Sequence, residues 1–472
     1  MWIVSGTKKG LIRLVSSKDI DGMLPVGSCL TVTDNKNVKH ILLVERSYQT
    51  SLFEPSPLVV DSGLPLMTQD QECKNIVWAR EIKQYPLRSD GMFSFVKPNE
   101  TARRTSQEEI DEVFTSPISS SKEGYPAFLA TSFANSNSPL RDDSGRLIYV
   151  RIPFDSLYLQ TMICGQTGSG KTVAMKYLIE RFLEHEKGAV LAINVKSIDL
   201  LTMDQPTTIE EKKWLREPTY EEWKTLGLNK NEMGEFSIYV PFSKQRHKEG
   251  ITHERIRSIT LRTRDLEPNS LLSVLQNITD RAAEALPNIF RYWKEALPEQ
   301  TSNFRNFISW FRSRATENQY YFPTISQTGE ESGTPLHPST YAAILRSLES
   351  AIDFFDSQEG ECLAIREDHI MVPGKLSVID LSNRDTIIFG AVLLSHLLSK
   401  IYESKAVKGQ YRDLPILIVI DEVHHFYGSG ASVKALEQLN AIARMGRSEK
   451  IGVIFASKNP EDLPDRLTSI VN

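Results

Sequence analysis

The stretch GQTGSGKT, residues 165–172, constrains this chain more than anything else in it. An apolar run from Leu159 to Ile163, broken by Gln160 and Thr161, leads in as a buried strand would. Val173, Tyr177, Leu178 and Phe182 then fall on one face of a predicted helix. Glycines at this spacing let successive backbone N–H groups turn inward around a phosphate at a helix start. Lys171 is placed to reach the β- and γ-phosphates, and the Thr172 hydroxyl to ligate Mg²⁺. The cradle is expected over Gly165, Gln166, Thr167, Gly168, Ser169, Gly170, Lys171, Thr172 and Val173, with ATP and Mg²⁺ as the bound groups.

A second element completes such a site. PILIVIDEVHHF places Asp421 and Glu422 at the end of an aliphatic strand. In a parallel α/β sheet the C-terminal strand ends line the ligand crevice. Asp421 is positioned to hold Mg²⁺ directly or through water, and Glu422 to polarise a water toward the γ-phosphate. A phosphate loop alone suits a binding switch, whereas a paired Asp-Glu points to hydrolysis. A P-loop kinase of a small molecule would have to explain Glu422 and the arginine turn that follows. His424 and His425 come next, read either as one packed and one exposed ring or as a coupling of His424 to a neighbouring element. Arg444 and Arg447 close a predicted helix before a glycine-punctuated turn. They could satisfy the helix's last carbonyls, or project as an arginine finger into a neighbouring subunit's nucleotide.

The length of 472 residues implies more than one domain. Hydrophobic content of 40% and charged content of 24% are those of a soluble globular protein. A net charge of −5 gives no global basic excess, although a ring or channel concentrates basic residues locally. Cys29, Cys73, Cys164 and Cys362 are scattered, which argues against a disulfide framework or a zinc site and suits a reducing compartment. No apolar core follows Lys8 and Lys9, so no signal peptide is expected. The longest apolar stretch, Ile387 to Leu398, holds Ser395 and His396 and is too short to span a bilayer. A cytoplasmic protein with no membrane partner is expected.

Four domains are read from the pattern. Residues 1–114 are β-rich, with LIRLVSS, CLTVTD, VKHILLVER and NIVWAREI as strands of a small barrel. Residues 115–148 begin with TSPISSSKEGYP and read as a linker. Residues 149–206 and 369–472 alternate strand and helix, the pattern of a parallel sheet with helices on both faces. Between them, residues 207–368 read as a mostly helical insertion with one strand-like piece, FSIYVPF. Its third helix is given a cap at Ser339, and the aromatics Tyr341, Phe354 and Phe355 are assigned to core packing. The 250 residues from Lys171 to Asp421 (421 − 171) exceed what a compact core needs.

GQTGSGKT, INVKSIDLL, VIDEVHHF and RMGRSEKIGVIFASKNPEDLP together resemble the HerA branch of the HerA/FtsK motor ATPases. The resemblance covers about Tyr149 to Met203 and Lys375 to Asn472, and more weakly the N-terminal barrel. It implies an α/β fold: a RecA-like parallel-sheet P-loop ATPase core with a helical insertion, preceded by a small N-terminal β-barrel. It further implies a homo-hexameric ring that hydrolyses ATP between subunits and translocates double-stranded DNA for a partner nuclease. Lys171 and Thr172 would bind phosphate and Mg²⁺, Asp421 would serve the Mg²⁺, and Glu422 would activate water. Arg447, then Arg444, would be the arginine contributed in trans. Two departures stand out. The sensor strand ends Ala456-Ser457-Lys458, where such ATPases commonly carry Gln after Ser or Thr. The chain also stops at Asn472, near where family members continue with a further strand, so a truncated chain is expected.

SKQRHKEGITHERIRSITLRTR, residues 243–264, carries Lys244, Arg246, Lys248, Arg255, Arg257, Arg262 and Arg264 against Glu249 and Glu254. It reads as a pore face for DNA phosphates, or as a solvated or subunit-contact surface. A second function remains open beside the motor: an ATP-gated ring scaffold that assembles and controls an effector enzyme in an antiviral defence complex. In both, the effector or nuclease is expected to dock near the N-terminal barrel.

Overall fold

The computed structural model describes residues 2–16, 24–51, 73–85, 94–114, 124–128, 130–133, 136–195, 198–205, 235–241, 251–274, 280–296, 303–315, 320–357, 362–382, 387–407, 409–423, 442, 446, 448–459 and 461. They form two compact units, one ending at Phe154 and one beginning at Asp155.

The first unit is built on a closed antiparallel barrel. Its strands are β1 (Trp2–Lys8), β2 (Leu11–Ser16), β3 (Cys29–Thr33), β4 (Lys39–Ser51), β5 (Cys73–Tyr85) and β6 (Thr101–Arg104). The order is β1-β2-β5-β4-β3-β6, and β6 pairs back to β1. Alternate residues Val4, Leu14, Leu30, Val32, Leu42, Val44, Val77 and Ala79 fill the interior. The sequence patterns account for four of the six strands. β1 hides because Gly6 interrupts it beside a bulge, and β6 because it is the polar run TARR. Helix α1 (Gln107–Phe114) follows, opened by a reciprocal cap: Ser106 Oγ accepts from Glu109 N at 3.4 Å, and Glu109 Oε2 accepts from Ser106 N at 3.1 Å. The segment expected as a linker contains β7 (Tyr125–Phe128), β8 (Ala130–Phe133) and β9 (Ser136–Pro139). β7 pairs with β10 (Tyr149–Ile152), and β8 with β9.

The barrel buries a polar cluster. His40 is fully buried, with Nδ1 2.5 Å from Glu81 Oε1 and Nε2 3.7 Å from Asp34 Oδ2. The Ser94 hydroxyl donates to Asp34. Burial pushes Asp34's carboxyl up, but Ser94, the N–H groups of Val38 and Lys36, and His40 outweigh it and hold the pKa at about 2. Burial pushes the His40 imidazolium down, and Glu81 and Asp34 reverse that to a net rise.

The second unit runs β11 (Gln160–Cys164), α2 (Lys171–Glu186), β12 (Ala189–Asn194), β13 (Phe236–Pro241), β14 (Ile256–Thr260), α3 (Asp280–Ala296), α4 (Phe304–Ser313), β15 (Tyr321–Ile325), β16 (Glu331–Pro335), α5 (Pro338–Ser350), β17 (Leu363–Ala364), α6 (Glu367–Ile370), β18 (Leu376–Asp380), α7 (Ile387–Tyr402), β19 (Ile416–Ile420) and β20 (Ile451–Ser457). Eight strands form one parallel sheet in the order β11-β20-β19-β12-β18-β13-β14-β17. This is the parallel sheet expected from the alternation and the RecA-like core that the resemblance implies, and the closed barrel precedes it in the sequence. β12, β18, β19 and β20 are buried along their whole lengths, as parallel strands covered on both faces must be. Leu191, Ile193, Ile418, Ile420, Val453 and Phe455 share a core with Val392, Leu394 and Leu397 of α7. Helix α2 buries Met175, Leu178, Ile179, Phe182 and Leu183 and packs on β11, β12 and β19.

Residues 207–368 hold more strand than the one strand-like piece expected of a mostly helical insertion. β13, β14 and β17 lie within them and extend the main sheet, and β15–β16 is a separate hairpin. β14 lies inside the arginine-rich segment, where charge masks its β-branched pattern. The helical part is real: Phe290, Trp293, Phe304, Phe307 and Phe311 of α3 and α4 form one aromatic core, with Phe290 edge-on to Phe307 and stacked on Trp293. Phe354 and Phe355 are buried in it, and Tyr341 packs against Phe311 with ring centroids 5.2 Å apart. Three local expectations are corrected. The cap of α5 is His337, whose Nδ1 accepts from Ser339 N, with Pro338 at the first helical position. The stretch NSLLSVLQNITDRAAEAL is not one helix, because Pro268–Val274 forms 3₁₀ turns and α3 starts at Asp280. Val173 is 51% exposed and lies off the buried face of α2, which Met175 and Ile179 occupy instead.

Candidate nucleotide site

The phosphate loop sits where β11 ends. Ser169 N donates to Gln166 O at 3.1 Å, closing a turn, and Gly165 N donates to Ser457 O at 3.3 Å, tying the loop to β20. Gly168 and Gly170 have φ of +84° and +90°, the left-handed region where a side chain is strained. The reversal lets α2 start directly at Lys171. No acidic residue lies in its first turn, so the positive end of the helix dipole is left for an external anion. The Lys171 ammonium folds over the loop and donates to Gly165 O and, at 3.3 Å, to Gln166 O. Thr172 is half-buried in the same turn, while Gln166, Thr167, Gly168, Ser169 and Gly170 are exposed.

One strand separates this loop from the carboxylates. β20 pairs with β11 through Ser457 and Cys164 and with β19 through Phe455 and Ile420. Asp421 and Glu422 therefore leave the sheet at the rim where the loop begins. Strands about 4.8 Å apart put β11 and β19 about 10 Å from each other. That is room for a phosphate, a cation and a water. Ile416, Ile418 and Ile420 belong to the α7 core, so alternation turns Asp421 toward the α2 side. Asp421 and Glu422 are 7% and 5% exposed. Glu422 has φ of +46°, a left-handed conformation at a non-glycine residue. Lys458 is exposed just beyond β20. His424, His425, Arg444 and Arg447 lie outside the described residues.

Two strand ends missed by the sequence reading join this rim. Asn194 and Asp380 close β12 and β18, and Asn194 Nδ2 donates to Asp380 Oδ1 at 2.8 Å. Each is a polar residue ending an apolar β-run, the same signal that marks Asp421. In the basic segment, Arg255 Nε is 4.0 Å from Asp204 and its guanidinium donates to Phe236 O. Arg257, Arg262 and Arg264 are exposed, Arg264 beside Asp265 at 3.7 Å.

The family profile "Helicase HerA, central domain" matches residues 150–401, more than half of the chain, and "Helicase HerA-like C-terminal" matches residues 340–471. The chain belongs to the HerA helicase family. A curated relative, the DNA double-strand break repair helicase HerA of Sulfurisphaera tokodaii, is 31% identical over 179 residues, 36% of this chain and 32% of that protein. The protein of the same description from Sulfolobus acidocaldarius is 29% identical over 99 residues, 20% of each chain. The matched stretches thus span a third or less of these HerA relatives' lengths. Among solved structures, VirB4 of Thermoanaerobacter pseudethanolicus aligns with a TM-score of 0.42 at 15% identity, covering 74% of this chain and 81% of that one. The plasmid coupling protein TrwB with a non-hydrolysable ATP analogue aligns at 0.39 and 14% identity, covering 66% and 67%.

Proposed function

We propose that this HerA-family chain is an ATP-hydrolysing ring motor that translocates double-stranded DNA. The observation that carries the reading is the register across β11, β20 and β19, which sets the phosphate loop and the Asp421-Glu422 pair on one rim. The residues fit a nucleotide with Mg²⁺: two left-handed glycines shape an anion cradle, a helix start without acids faces it, and a hydroxyl and a carboxylate supply hard oxygen donors. Lys171 and Thr172 hold the phosphates and the cation with Asp421, and the loop from Gly165 to Val173 wraps them. The bound cation neutralises charge developing on the phosphates. Glu422 accepts a proton from the attacking water. Lys171 leaves the loop carbonyls for the phosphate oxygens.

The further assignments rest on the same reading. Six subunits form the ring, with Arg447, then Arg444, completing a neighbour's site. Among the described residues of the basic segment, which leave out Lys244, Arg246 and Lys248, Arg257, Arg262 and Arg264 are exposed, which supports their contact with duplex phosphates better than that of Arg255. A nuclease or other effector docks at the barrel, and the protein works in the cytoplasm. Residues 207–368 act as an insertion whose three strands widen the sheet. The exposed Lys458 at the sensor strand favours a second reading, a ring whose ATP state gates an antiviral effector enzyme. ATP hydrolysis measured with linear duplexes of increasing length separates the two. Turnover rising with DNA length is the motor's result, and turnover that ignores DNA but responds to an added effector is the scaffold's.

A further inference from the structure

The outer surface of the barrel carries a row that the ATP site does not use. Arg13 of β2, Trp78 of β5 and Arg46 of β4 are direct cross-strand partners. Val77 and Ala79, on either side of Trp78, point into the barrel core, so strand alternation turns the row outward. Trp78 is partly exposed and Arg46 is exposed. Tyr48, two residues along β4, is 43% exposed and its hydroxyl accepts from Trp78 Nε1 at 3.3 Å. This bond steadies the indole against the strand. Arg80, two residues along β5, is neutralised by Glu45 at 2.6 Å. Among the described residues, neither Arg13 nor Arg46 has a carboxylate partner.

An indole on a barrel surface with an uncompensated guanidinium on each side fits one ligand chemistry. A base lies on the ring, and the phosphates before and after it meet the two arginines. Neighbouring strands are about 4.8 Å apart, so the arginine backbones are about 10 Å apart with the indole midway. Two extended side chains close that span onto successive phosphates of one strand. A duplex keeps its base faces stacked inside and offers the ring nothing. An acidic protein surface would engage the arginines without needing the indole.

We propose that this barrel face binds single-stranded nucleic acid, with Trp78 stacking on a base and Arg13 and Arg46 neutralising the flanking phosphates. The site stands apart from the ATP reading and holds or fails without it. The test is anisotropy of labelled oligo(dT) and oligo(U), and of a duplex of equal length, titrated with the full chain without nucleotide. Trp78→Ala is expected to weaken oligo(dT) binding about tenfold, and Trp78→Phe to restore most of it. Arg13→Glu with Arg46→Glu is expected to weaken binding and flatten the salt slope by about 1.4, for two single-strand phosphate contacts. Oligo(dT) and oligo(U) should bind alike, because the row meets base and phosphate; a tenfold preference for either would overturn that chemistry. Unchanged affinity in Trp78→Ala, or an equal loss on the duplex, would overturn the stacking site. Should Trp78→Ala fail to fold, the arginine pair and Trp78→Phe carry the same decision.

Discussion

Asn194 donates to Asp380 over 2.8 Å at the ends of two neighbouring parallel strands, one strand beyond Asp421. Both side chains are buried. Asn194→Ala takes a donor from a carboxylate that water barely reaches. A loss of about 1–3 kcal/mol is expected in urea denaturation. Asp380→Asn keeps the volume and should cost less than Asp380→Ala. Equal costs would show that the lost carboxylate, not the cavity, dominates.

At the rim itself, Lys171→Ala and Glu422→Gln are expected to lower ATP turnover at least about a hundredfold, the scale of a lost electrostatic or general-base contribution. Their binding should differ. Glu422→Gln keeps nucleotide affinity within a few-fold, while Lys171→Ala weakens it. Turnover at the parent rate in Glu422→Gln would remove the water-activating role.

Glu422 adopts a backbone conformation that costs an ordinary L-residue about 1–2 kcal/mol. Glu422→Gly should therefore abolish turnover while leaving the thermal midpoint equal to or above that of the parent. Glu422→Ala keeps a Cβ and should not gain. A lower midpoint for glycine than for the parent would mean that the carboxylate's contacts outweigh the strain.

Gly452 marks the tightest approach in the sheet. A Cβ there would lie 1.9 Å from the Leu157 carbonyl oxygen and 2.9 Å from Leu417 Cδ1. The first is backbone and cannot swing aside, so Gly452→Ala is expected to cost more than about 2 kcal/mol. Denaturant midpoints check this. A neutral result would mean that the 154–158 turn is free to move.

The barrel should be acid-sensitive. Burial raises Glu109's pKa, but Arg103, the Ser106 N–H and Thr31 outweigh it and hold the pKa at about 2. Asp34 is held equally low. A depressed carboxyl stabilises the fold above its unfolded pKa near 4 and loses that contribution as pH falls through its folded value. His40, shifted upward, stabilises below its unfolded value near 6.5 and loses that contribution as pH rises through its folded pKa. Thermal midpoints should thus fall between about pH 4 and 2, less steeply in Glu109→Gln, and His40→Gln should remove a decline on the alkaline side. An unchanged acid limb in Glu109→Gln would exclude Glu109 as its source.

The ATP-site half of the fold was legible because it depends on local signals: glycine spacing at 165–170, aliphatic runs at β12, β19 and β20, and a carboxyl pair at a strand end. The misreadings have equally local causes. Arginines at 255 and 257 overlay the β-branched pattern of β14. Val173 satisfies helical spacing from Tyr177, yet the buried face of α2 is set two residues away by Met175 and Ile179. Ser339 is a good cap by type, but Pro338 fixes the helix start two residues earlier than a Ser339 cap would and hands the cap to His337. Barrel closure depends on β6 meeting β1 across almost a hundred residues, which periodicity does not encode. Asn194 and Asp380 were missed because each is ordinary alone and informative only beside the other.

The pairing of β11 with β20 also sets a timetable for synthesis. The phosphate-loop strand ends at Cys164, while the strand that braces it begins at Ile451, 287 residues later (451 − 164). At about 5–20 residues per second, a ribosome leaves that edge unbraced for about 15 to 60 seconds. For that interval the nascent polypeptide carries its most recognisable motif before the sheet that gives the motif its shape exists, and a chaperone or an early nucleotide would meet an unfinished pocket.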